Sequence, residues 1–146
     1  MSIIKIFLIA FLFMAISPSN AQSLSSHQWK DRVIIISADD TSSQALKAQI
    51  SEFEKHQKGL NERRLVIYQS VSNQIKKGFK QESVWLESDK SFQKIESPES
   101  NFEVILIGLD GGIKLRKNEF VSCKELFGVI DQMPMRMSEI KRKKDG

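Results

Sequence analysis

The sequence predicts an α/β domain, a central mixed β-sheet flanked by helices, and three observations carry that prediction. Val33–Ile36 is an unbroken β-branched run, Leu65–Tyr68 is a second, and between them Leu46, Ile50 and Phe53 recur at helical spacing. Phe102, Val104, Ile105, Leu106 and Ile107 form a third β-prone run. A glycine turn, a short alternating stretch and an apolar helical stripe follow it. The order β-α-β, a variable segment, then β-β-α is that of a thioredoxin-like domain, with the first helix on one side of the sheet and the last helix beside it.

The elements are preceded by a leader. Met1–Lys5 carries one positive charge, Ile6–Ile16 is apolar, and Ser19, Asn20 and Ala21 make a small-residue cleavage pattern. Together these read as a signal peptide over residues 1–21, cleaved after Ala21, which predicts a periplasmic or secreted protein. The apolar run of eleven residues falls short of the roughly 20 that span a bilayer, so no membrane span is expected once the leader is removed. Removing 21 of 146 residues leaves 125, enough for one domain that buries about two thirds of its unfolded surface. Only Lys5 is lost with the leader, so 21 Lys and Arg face 18 Asp and Glu, a net charge of +3. So mild a balance, in an exported chain, makes nucleic acid an unexpected partner. Much of the excess sits in Lys141, Arg142, Lys143 and Lys144, read as a solvated basic tail over residues 141–146. Contact with an anionic surface is the alternative use of that tail.

Residues 22–28 are polar and serine-rich, which suits a disordered lead-in, with the single domain running over residues 29–140. Val33–Ile36 is the first central strand. Asp40, Thr41, Ser42 and Ser43 offer N-caps for the first helix, Lys55, His56 and Lys58 suit its negative end, and Gly59 is the expected stop. Leu65–Tyr68, with Val71 as a candidate extension, then completes a crossover unit. Residues 72–101 keep neither period well. Within them Val84–Leu86 is a candidate edge strand with Trp85 on the core, Lys90–Ile95 a candidate helical turn, and Ser97–Ser100 a breaker cluster. The Phe102–Ile107 run is too continuous for a half-exposed strand and is expected with both faces covered. Asp110, Gly111 and Gly112 favour a tight reversal, Ile113–Arg116 the returning strand, and Ser122 with Glu125 a capping box. Leu126, Phe127, Ile130 and Met133 make the stripe of the last helix. Pro134 then leaves Met135–Lys143 as either a kinked continuation or a separate turn.

Four blocks also carry a family resemblance: WKDRVIII from Trp29, GLNERRLV from Gly59, VILIGLDGGIKLR from Val104 and ELFGVIDQMPMR from Glu125. In these the chain resembles the short secreted bacterial proteins of family 4174 of the domains of unknown function. That domain is similar to those of animal extracellular proteins grouped as the DUDES family, which has been likened to peroxiredoxins and thioredoxins. The resemblance implies the thioredoxin-like fold and export, and it brings no activity with it.

A thioredoxin-like oxidoreductase needs a thiolate at the N-terminus of the helix after the first strand, where the dipole lowers its pKa. Here that place reads Ser37, Ala38, Asp39, Asp40, Thr41, Ser42. It holds no sulfur. The proline that the redox fold places directly before its third strand is also missing, since Pro98 lies four residues before Phe102. Cys123 is the sole cysteine, so no intrachain disulfide can form. It reads either as a small buried hydrophobe in the first turn of the last helix, the preferred reading, or as a reactive thiol. Asp39 and Asp40, with Asp110 if the loops converge, could bind a cation or act as acid and base, but a helix cap and a turn explain them as well. Lys114, Arg116 and Arg136 are candidates for an anion-binding patch, against a solvated strand face and a helix end. His27 and His56 lack metal-ligand spacing, and Gly108–Gly112 is not followed by the Lys-Ser/Thr of a phosphate loop, so no metal or cofactor is expected. The sequence therefore predicts a binding module without catalysis, taking a protein or a small anionic ligand. Redox chemistry at Cys123, or hydrolysis by Asp39 and Asp40, is the alternative.

Overall fold

The computed structural model describes residues 23–146, so the leader over residues 1–21 lies outside the described residues. Six strands form one sheet: β1 (Arg32–Ala38), β2 (Leu65–Val71), β3 (Gln74–Lys77), β4 (Leu86–Glu87), β5 (Phe102–Ile107) and β6 (Ile113–Lys117). Their spatial order is β4-β3-β2-β1-β5-β6. The sheet is mixed, because β1 runs parallel to β2 and antiparallel to β5, and the other neighbours are antiparallel. Among the described residues five α-helices flank it: α1 (Gln44–Lys55), α2 (Gln57–Glu62), α3 (Lys90–Ile95), α4 (Cys123–Asp131) and α5 (Pro134–Asp145). Among the described residues no helix is long and apolar enough to cross a membrane.

Strand alternation divides the core in two. Ile34, Ile36 and Ala38 of β1 join Val104 and Leu106 of β5 on one face, beneath Leu46 and Phe53 of α1, Leu60 of α2, and Leu126 and Ile130 of α4. Val33, Ile35, Ile105 and Ile107 point the other way, onto Tyr68, Ile75 and the α3 residue Phe92. Both faces of β1 and β5 are therefore covered, which is why their sequences are continuous apolar runs rather than alternating ones. The first and last predicted helices, α1 and α4, share one face.

Several expectations need correction. The polar lead-in is ordered from Ser23, whose hydroxyl caps a 3₁₀ turn at Leu24–His27. His27 is buried there, with Nε2 2.7 Å from the Tyr68 hydroxyl and Nδ1 3.0 Å from Asp31. Serine-rich composition does not mean disorder when one residue among the serines has a buried partner. Gly59 does not end the first helix. α1 stops at Lys55, His56 breaks it, and Gly59 lies inside α2. A Cβ on Gly59 would stand 2.7 Å from the Phe127 ring, so the glycine serves a close approach between helices rather than a C-cap. Asp40 is not the helix cap either: Ser43 accepts from the Leu46 amide at 3.3 Å. Residues 72–101 fold into β3, β4 and α3, where Val84–Leu86 contributes only Leu86 to the edge strand and Trp85 does pack on the core. Pro134 begins a separate helix at its N1 position, and α5 carries the basic tail as helix to Asp145.

Candidate functional site

The predicted site residues fall in separate places. β1 is seven residues long, which puts its two ends about 20 Å apart. Asp39 and Asp40 leave its C-terminal end, where Ala38 pairs with Phe102, whereas the Asp110 turn sits by its other end, where Val33 pairs with Ile107. The three carboxylates therefore cannot form one site. Asp39 and Asp40 are both exposed. Asp40 accepts the Ser42 amide at 2.9 Å, and that bond holds its carboxyl below the usual carboxylate range. This is a loop carboxylate closing a turn.

The three cations also separate. Arg116 reaches across the sheet face to the buried carboxylate of Glu103, and its other bonds go to Ser97 Oγ at 2.9 Å and the Ile95 carbonyl at 2.7 Å. It ties α3 to the sheet. Glu96 lies beside this group, accepts from Ser37 Oγ at 3.3 Å, and is pushed to a higher pKa by burial. Arg136 is buried, donating to Asp131 at 3.1 Å and to the Glu62 carbonyl at the end of α2 at 3.1 Å. It belongs to a network that the sequence reading did not single out. Arg63 pairs with Asp131 at 2.7 Å, while Arg32 and Arg64 both meet Glu139, at 3.3 and 2.6 Å. Two signals pointed to it: an arginine adjoining the most apolar strand, and Arg136 with Glu139 one turn apart on an otherwise polar helix.

Lys114 and Asp110 do meet a cavity. Lys114 Nζ donates to Asp110 Oδ2 at 2.8 Å, which holds the Asp110 carboxyl below its ordinary range. The lysine stem passes so close over Gly108 that a Cβ there would stand 2.6 Å from its Cε. This pair borders a cavity of about 500 Å³, lined by Arg32, Leu109, Asp110, Lys114, Val129 and Met133 among others. Pro134 borders it too and opens α5 there. Met133 at the N-cap supplies no side-chain hydrogen bond to α5. An uncapped helix N-terminus presents free amides and the positive end of the helix dipole. Arg32 is almost fully buried, and its Nε atom has no hydrogen-bond partner. The place thus combines an apolar wall with two cationic side chains, Lys114 paired with Asp110 and Arg32 paired with Glu139, beside the start of α5. Arg116 and Arg136 do not line it.

Cys123 is 1% exposed, and burial, with the Glu52 charge adding to it, pushes its thiol up to about 12 against the opposing pull of Arg63. Such a thiol is not a nucleophile at neutral pH. His56, read as lacking metal-ligand spacing, stands with Glu52 and Cys123 in a grouping that only the tertiary fold creates.

The family model described as "Domain of unknown function (DUF4174)" matches residues 23–139. No curated protein matches the chain. Among solved structures the chain is similar to the reduced 2-Cys peroxiredoxin of Plasmodium vivax, at 13% identity and a TM-score of 0.54, over 79% of this chain and 84% of that one. A second, described as the structure of a malarial protein, aligns at 24% identity and a TM-score of 0.45, over 70% of this chain and 96% of that one. The likeness to the peroxiredoxin, with the mixed sheet between its helices, makes the fold thioredoxin-like.

Proposed function

The chain belongs to the DUF4174 family, and on that premise we propose that it is an exported, non-catalytic binding domain that takes a small anionic ligand with an apolar body. One observation carries the reading: the cavity beside Lys114, buried Arg32 and the uncapped start of α5 has apolar walls and two cationic side chains, with Asp110 as the carboxylate that an incoming anion would displace from Lys114. The end of β1, where a thioredoxin-like enzyme would carry its nucleophile, reads Ser37, Ala38, Asp39, Asp40, Thr41, Ser42 and holds no sulfur. Support for export lies in the Met1–Ala21 leader pattern of the sequence. The cell envelope is the setting that such a leader and the secreted resemblance favour.

The test is calorimetric titration of the mature protein with decanoate, decyl phosphate and the neutral control decanol. Binding of the two anions, absent for decanol and weakened roughly tenfold by Lys114→Glu, is the expected result; tenfold corresponds to about 1.4 kcal/mol. Equal binding of decanol, or anion affinity untouched by Lys114→Glu, would remove the proposal.

A further inference from the structure

Three side chains that the cavity does not use converge at the C-terminal end of α1. Glu52 and His56 stand one helical turn apart at its end and so share a face, and Cys123 opens α4 against them. A carboxylate oxygen, an imidazole nitrogen and the Cys123 Sγ all lie within 4.8 Å of one another. His56 Nδ1 is 3.7 Å from Glu52 Oε1. Both Nδ1, at 2.8 Å, and Sγ, at 3.9 Å, donate to the Glu52 carbonyl oxygen, so the nitrogen and the sulfur are held on either side of one backbone atom.

We propose that Glu52, His56 and Cys123 form a binding site for one transition-metal ion of the zinc or cobalt(II) type, with the remaining coordination position open to solvent. The ligand set selects the metal. Thiolate and imidazole suit zinc, cobalt and copper and do not suit magnesium or calcium, which take oxygen shells. Tetrahedral bonds of about 2.0–2.3 Å hold donor atoms about 3.3–3.6 Å apart, so closure of the group needs shifts of about an ångström. His56 is 44% exposed in its side chain and Glu52 20%, which leaves both free to make them and gives the ion a way in. The Cys123 amide donates to Glu52 Oε1 at 2.8 Å, and the His56 ring packs edge-on to Phe127, so the outer shell already orients two of the three ligands. On binding, the Cys123 S–H bond breaks, its proton leaves to solvent, and the sulfur lone pair forms the metal bond. The imidazole gives up the Nδ1 proton that it donates to the Glu52 carbonyl and takes one from solvent at Nε2, which frees the Nδ1 lone pair with no further net proton release. Thiolate and carboxylate then balance the 2+ charge. Arg63, the nearby cation, is already paired with Asp131 at 2.7 Å.

The experiment titrates the untagged mature protein with cobalt(II) and follows the thiolate-to-cobalt charge-transfer band. The expected result is saturation at one equivalent, bleaching by zinc, and release of one proton. Cys123→Ala should abolish the band, and the exposed substitution His56→Asn, which keeps the fold by circular dichroism, should weaken affinity at least about tenfold. Lys114→Glu should leave it unchanged, which separates this site from the anionic-ligand cavity. Absence of the band, or His56→Asn binding as well as the parent, would overturn the site.

Discussion

A carboxylate enclosed against a second carboxylate works against folding, and Glu96 is in that position. Burial raises its pKa most, the nearby Glu103 adds to the rise, and the Ser70 and Ser37 hydroxyls oppose it. A carboxyl whose folded pKa lies above its unfolded value contributes stability fully below the unfolded value of 4.5; that contribution is lost as pH rises through the folded value. At neutral pH the ionised form is therefore the strained one. Glu96→Gln keeps an acceptor for Ser37 and removes the charge, so it should raise the melting temperature by a few degrees at pH 7 and show no gain below pH 4.5. A melting series across pH measures it, and an equal gain at both ends would show that packing, not charge, was responsible. None of this is legible from the sequence, because Glu96 follows a six-residue helix in a stretch without period, and Ser37, its hydrogen-bond partner, lies 59 residues away.

At the scale of elements, the sequence was most informative where one segment decides its own structure. Val33–Ile36, Leu65–Tyr68 and Phe102–Ile107 became β1, β2 and β5, and the Ser122 hydroxyl caps α4 through the Glu125 amide at 3.2 Å. It was least informative where a residue answers to another element. Gly59 looked like a helix stop because glycine usually is one, yet its role is set by Phe127. That ring is itself held, with the Arg63 guanidinium 3.9 Å above it and His56 edge-on. Gly59→Ala would gain about 1 kcal/mol of helix propensity and lose about 1–3 kcal/mol to overpacking. Net destabilisation is expected, read as a lower denaturant midpoint at unchanged slope. In a Phe127→Ala background the same substitution should become neutral or stabilising, and this double-mutant cycle isolates the contact.

Over the whole molecule, the last helix is attached by charge more than by apolar burial. Arg136 is the one buried residue of α5, and the helix meets the sheet through Glu139, which accepts from Arg32 on β1 and from Arg64 just before β2. These partners lie 107 and 75 residues apart in the chain. No local period connects them, so hydropathy patterning shows the strands and not the ionic attachment. Burial pushes the pKa of Glu139 up, but hydrogen bonds from Arg64 and Arg32 outweigh it and leave the net shift downward; Asp131 behaves the same way under Arg63 and Arg136. A carboxyl lowered in the folded state contributes stability above its unfolded value, 4.5 for Glu139 and 3.8 for Asp131, and loses it as pH falls through the folded value. Acid should therefore release α5 before the sheet, which rests on apolar burial, gives way. Hydrogen exchange at stepwise lower pH is the measurement: amides of α5 should lose protection while those of β1 and β5 keep theirs. Glu139→Gln should release the helix already at pH 7 and cost about 3 kcal/mol, because it leaves the 1%-exposed Arg32 guanidinium with its charge uncompensated. Since Arg32 and the start of α5 both line the cavity proposed for the anionic ligand, an anion that binds there should restore part of α5 protection in Glu139→Gln. Loss of β1 and β5 protection together with that of α5 would show instead that the helix is part of the cooperative core.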